Sequence, residues 1–127
     1  MKSLMSLILM AGFLALSAPG AAALSPGEDG RDTLRGQVID LSCKVVHDLS
    51  GEDHRMCAQV CADAGVPLAI LGEDGHIYHA VSTAMPSSGD ELNELLRPHA
   101  ERSVIIEGQL VERAGVRGIV IESVRAS

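Results

Sequence analysis

Two β-rich runs near the C-terminus constrain the fold more than any other feature of this chain. SVIIEGQLVE, starting at Ser103, and VRGIVIESV, starting at Val116, are dense in β-branched residues and meet at Arg113-Ala114-Gly115, so they read as a hairpin. Three more strands are readable upstream. TLRGQVIDLSC alternates through Leu34, Gly36 and Val38, then changes phase to Ile39 and Leu41, as a strand does at a bulge or bend. PLAIL and HIYHAV flank Gly72-Glu-Asp-Gly75 and read as a second hairpin, with Gly75 at the left-handed turn position.

Helical signals interrupt these strands twice. Ser50-x-x-Asp53 has capping-box spacing, Asp48 and Glu52 add negative charge at the same end, and Gly65-Val66-Pro67 is a stop, which predicts a helix over Gly51 to Ala64. Ser88-x-x-Glu91 opens a shorter one, Asp90 to Arg97, with Leu92, Leu95 and Leu96 as its apolar stripe and Pro98 beyond. The expected fold is mainly β with two helices: an OB-fold-like five-stranded barrel with a helical insertion between the first and second strands. In such a barrel that first connection and the loop between the last two strands flank the binding surface.

The barrel does not need the whole chain. At 127 residues and 46% hydrophobic composition there is enough for one modest core. Residues 1–23 read as a signal peptide: Lys2 precedes the apolar run Leu4 to Leu16, too short to span a bilayer comfortably, and Ala21-Ala22-Ala23 supplies small residues for cleavage. Residues 24–32, rich in Gly, Pro and charge, read as a flexible lead-in, and 33–127 as the OB-like domain. A periplasmic or secreted protein without a stable membrane anchor after cleavage is expected.

Removing the leader sharpens what the composition excludes. Loss of Lys2 leaves nine Lys and Arg against seventeen Asp and Glu, moving the formal charge from −7 to −8. Such a chain repels phosphate backbones. Phe13 also goes, leaving Tyr78 as the one aromatic ring, so bases and sugars have no stacking platform. Nucleic acid is excluded as a partner on both grounds.

Chemistry concentrates in CKVVHDLSGEDHRMCAQVC, Cys43 to Cys61, which holds all three cysteines. On a helix His54, Cys57 and Cys61 fall at i, i+3 and i+7 and line one stripe. Cys43, expected at the end of the first strand, can close onto it, with His54 or His47 as a further ligand. Three thiolates suit Cu(I), and three thiolates with an imidazole suit Zn²⁺.

An oxidising compartment offers alternatives, because three cysteines leave one unpaired when two bridge. Cys43 bonded to Cys57 or Cys61 would pin the helix to the first strand, and a Cys57–Cys61 bond would be strained and easily reduced. Met56 and Val60 share a helical stripe and read as core. His76 and His79 lie on a strand with opposite orientations and do not readily chelate one ion together, and His99 has no evident partner. No hydrolase or haem-attachment motif occurs, and catalysis is not the favoured reading.

The run Gly36-x-Val38-x-Asp40-x-x-Cys43, then His54-x-x-Cys57-Ala58-x-x-Cys61, then Gly65-x-Pro67-x-x-Ile70-Leu71 and Asp74-Gly75 resembles small exported bacterial proteins over the first half of the mature chain. That resemblance implies a compartment rather than an activity. In compartment and architecture the chain is also similar to the periplasmic copper metallochaperone of silver and copper efflux systems. That protein surrounds copper with Met, His and Trp, whereas this chain has no Trp and offers thiols, so the ligand set does not transfer.

The expectation is an exported thiol-rich protein handling Cu(I), or Zn²⁺, in the cell envelope, with Cys43, Cys57, Cys61, His54 and His47 as candidate ligands. The alternatives are a disulfide-pinned domain that binds a periplasmic protein, and a thiol–disulfide redox protein.

Overall fold

A computed structural model describes residues 30–127 together with the backbone of Leu24–Pro26. The signal-peptide segment 1–23 lies outside the described residues. Within the run 24–32 read as a lead-in, Leu24–Pro26 form a short strand, β1, paired with the start of β2, Asp32–Asp40. The remaining strands are β3, Leu68–Gly72, β4, Ile77–Val81, β5, Ser103–Arg113, and β6, Val116–Ala126.

Strand β2 closes the sheet. Its first part, Asp32 to Gln37, runs antiparallel to β5, and its second, Gly36 to Asp40, runs antiparallel to β3. The order continues through β4 and β6 back to β5, with β4 and β6 parallel, giving the closed five-stranded OB-like barrel expected. Gly36 pairs with both β3 and β5, and β3 approaches it closely. A Cβ there would collide with the Leu71 carbonyl oxygen and lie 2.9 Å from Ile70 Cγ2. Gly36→Ala should therefore destabilise the barrel by about 1–3 kcal/mol, as overpacking does. A urea melt that places this variant within error of the parent would refute the crowding argument.

The core is built by alternation. Leu34 and Val38 of β2, Ile70 of β3, Tyr78 of β4, Val104 and Ile106 of β5 and Ile119 of β6 point inward, with Leu110 packed against them. Leu96 closes the cluster from helix α3, Gly89–Leu96, which Ser88 caps by accepting from the Glu91 N–H at 3.3 Å. The expected stripe of α3 is only partly right. Leu95 is 47% exposed, and Asn93 is buried instead. Its amide accepts from the Leu68 N–H at 3.0 Å and donates to the carbonyls of Ala62 and Val66, tying α3 to the chain entering β3.

The connection after β2 departs most from expectation. It holds two helices, α1, Leu41–His47, and α2, Arg55–Asp63, so the domain has three helices rather than two. Cys43 consequently sits in the first turn of α1, not at the end of a strand. Asp40 caps α1 by accepting from the Cys43 N–H at 2.8 Å, and Asp48 ends it in the left-handed region at φ 53°. Val45 and Val46 disfavour helix locally, so only the strand pattern ending at Cys43 is legible there.

Helix α2 is entered through a 3₁₀ turn, Glu52–His54, preceded by Gly51 at φ 104°, with no side-chain cap, so the Ser50 capping box does not form. The helix also faces the other way from expectation. Ala58 and Ala62 are buried, whereas Met56 is 78% and Val60 62% exposed. Small residues let α2 lie close against β2 and α3, which turns the larger Met56 and Val60 outward. No helix among the described residues is long and apolar enough to cross a membrane.

Candidate metal centre

The site is assembled where the end of β2, the two inserted helices and the turn before β5 meet. Glu101 lies in that turn at φ 58°, held to β2 by backbone bonds from its N–H to the Val38 carbonyl and from the Val38 N–H to the Arg102 carbonyl. Its side chain is fully enclosed. Four donors surround the carboxylate: the N–H groups of Asp40 at 3.3 Å and Gly51 at 2.7 Å, the Gln37 amide at 3.3 Å, and His54 Nδ1 at 3.2 Å.

That environment assigns the histidine tautomer. Glu101 presents only acceptor oxygens, so Nδ1 of His54 carries the proton and Nε2 is left with its lone pair. Nε2 is buried and has no hydrogen-bond partner. This is the arrangement in which a carboxylate orients a histidine toward a metal.

Three sulfurs lie nearby. The ligand atoms of Cys43, His54 and Cys57 are within 4.8 Å of one another, as are those of Asp40, Cys43 and Cys61. Cys43 belongs to both groups, and the donors form two overlapping sets of three rather than one set holding every sulfur and His54. All three thiols are free, with Cys57 exposed and the other two half-buried. Asp40 is fully buried, and its Oδ2, like Nε2 of His54, has no hydrogen-bond partner.

Two buried carboxylates, Asp40 and Glu101, dominate the electrostatics of the pocket. The Cys61 thiol is pushed up to about 12, first by side-chain contact with the Asp40 carboxylate, then by burial and by Cys57. With no aligned donor on Asp40 Oδ2, that contact is one of proximity rather than a directed bond. Burial, followed by the charge on Asp40, also raises Cys43. Among the described residues no Lys or Arg forms an ion pair with Asp40 or Glu101. Arg55 instead donates to the carbonyls of Ala100 and Pro98 at 3.0 and 2.9 Å. A bound cation would have to displace the thiol protons that burial and Asp40 retain.

His54, Cys43, Cys57 and Cys61 are thus brought together, while His47 stands exposed at the end of α1, outside both groups. Met56 is exposed. His76 pairs with Asp74 at 3.2 Å, and Asp74 also accepts from the Tyr78 hydroxyl at 2.7 Å, a separate arrangement that braces the β3–β4 turn. Asp40, named only within the Gly36-to-Cys43 pattern, and Glu101 escaped the sequence reading as site residues. Asp40-x-x-Cys43 has helix-cap spacing and could have signalled α1; Glu101, 47 residues from His54, carries no local signal.

No family model matches the chain, and neither a curated protein nor a solved structure does. Its class rests on its own geometry, an OB-like barrel whose first connection carries thiol and imidazole groups that, with Asp40 at the end of β2, could hold a metal ion.

Proposed function

We propose that this is an exported metal-binding protein that handles Cu(I) in the cell envelope through Cys43, His54 and Cys57. One observation carries the reading: two thiols and the His54 ring, whose Nδ1 meets Glu101 and whose Nε2 is buried without a partner, offer ligand atoms within 4.8 Å of one another. Two thiolates and an imidazole are soft or borderline donors, the kind that select Cu(I). Exposed Cys57 leaves the ion accessible for exchange, as handling requires and permanent storage does not.

Export follows from the leader, and cleavage after Ala23 leaves the domain intact. Native mass spectrometry of the reduced, exported protein should show a chain beginning near Leu24, three thiols and one Cu(I). Failure of the reduced protein to take Cu(I) from a competing chelator would overturn the reading. A protein-interaction domain is a second reading, favoured by the exposed Val45, Val46, Leu49, Met56 and Val60 on and beside the inserted helices. Under it, a partner would bind equally well to the metal-free protein.

A further inference from the structure

Resting on that metal-binding reading, we propose that Asp40, Cys43 and Cys61 form a second, harder ligand set for Zn²⁺, sharing Cys43 with the Cu(I) set, so that the protein holds one ion at a time. Two independent observations place a ligand there. The three donor atoms lie within 4.8 Å of one another, and the carboxylate oxygen Oδ2 of Asp40 is buried without a hydrogen-bond partner. A buried carboxylate oxygen with no donor is costly, and a bound cation removes that cost. Its other oxygen is committed to capping α1, which fixes the carboxylate in place.

The two sets differ in hardness. Zn²⁺ accepts thiolate, imidazole and carboxylate alike, whereas Cu(I) is selected by soft donors and gains little from a carboxylate. An ion that tolerates oxygen can occupy the inner set of Asp40, Cys43 and Cys61, while Cu(I) settles in the outer set of Cys43, His54 and Cys57. Because both need the Cys43 thiolate, the arrival of one ion removes a ligand from the other. Discrimination would then arise from which side of Cys43 the ion takes, without any change of fold.

The test uses the reduced full-length mature protein, titrated with Zn²⁺ alone and Cu(I) alone, and its Asp40→Asn and Cys61→Ser variants. Asn keeps the Oδ1 cap on α1 but removes the anionic oxygen. Loss of a mere supporting group near a metal already costs about 10–100-fold in affinity, so both variants should weaken Zn²⁺ by at least about tenfold while holding Cu(I) within about twofold. In the parent protein one equivalent of Cu(I) should expel Zn²⁺. Equal effects of both variants on the two ions, no effect on Zn²⁺, or simultaneous binding of both ions would overturn the second set while leaving Cu(I) binding standing. A parent protein that binds neither ion would overturn the functional reading itself. Should Asp40→Asn fail to fold, Cys61→Ser decides, since Cys61 enters helix capping through its backbone carbonyl and not its side chain.

Discussion

A Cys43→Ser protein should lose Cu(I) and Zn²⁺ binding together, by more than the roughly 10–100-fold that loss of a supporting partner costs. Cys43 is the one residue common to both groups of donors, so its loss leaves each of them a single thiolate. Ser is close in size and its hydroxyl is not a soft ligand. The fold should tolerate the change: Cys43 is half-buried, outside the barrel core, and its N–H still donates to Asp40. Thermal melts and Cu(I) competition titrations on the same sample separate the two effects. Cys57→Ser provides the contrast, because it should remove Cu(I) binding and spare most of the Zn²⁺ affinity. If Cys43→Ser retained either ion at parental affinity, the shared-ligand geometry would be wrong.

Substituting Glu101 should damage stability and metal affinity at once. Glu101→Ala strips the acceptor from two backbone N–H groups, the Gln37 amide and His54 Nδ1, around a side chain with no solvent access. Water does not readily replace a partner there, and a loss of about 3–5 kcal/mol is expected from buried donors left unpaired. Glu101→Gln is the more informative variant. It preserves shape and one acceptor oxygen but turns an N–H₂ toward groups that themselves donate, at about 1–3 kcal/mol. The folded fraction of Glu101→Gln should also bind Cu(I) about 10–100-fold more weakly, because His54 loses the carboxylate that selects its tautomer and aims Nε2. Chemical denaturation measures the first effect and chelator competition at low temperature the second. Parental Cu(I) affinity in a folded Glu101→Gln protein would refute the orienting role.

Strand segments were legible because their signals are local. Alternation in Thr33 to Asp40, the turn at Gly75 and the hairpin around Ala114 and Gly115 each depend on a few neighbouring residues, and the structure forms all of them. The same holds for α3, whose Ser88 cap is built as its spacing implies. Helix α1 was missed because Val45 and Val46 argue against helix while Asp40, whose cap overrides them, reads as part of the preceding strand. The rotation of α2 escaped for a related reason. Hydrophobicity ranks Met56 and Val60 above Ala58 and Ala62, but close packing against β2 and α3 selects the small residues.

By itself the sequence determined the order of the strands, the placement of a helical connection after the first barrel strand, and the concentration of every thiol within it, because strand alternation, turn chemistry and cysteine spacing are properties of short segments. Only the tertiary structure decided which donors meet. His54 rather than His47 faces the sulfurs because the 3₁₀ turn brings it beneath Glu101, and Glu101 is there because closure of the barrel hydrogen-bonds its turn to Val38. Asp40 became a buried carboxylate only once two helices folded over the end of β2. Contacts between residues far apart in the chain arise from closing the sheet, and no local pattern encodes them.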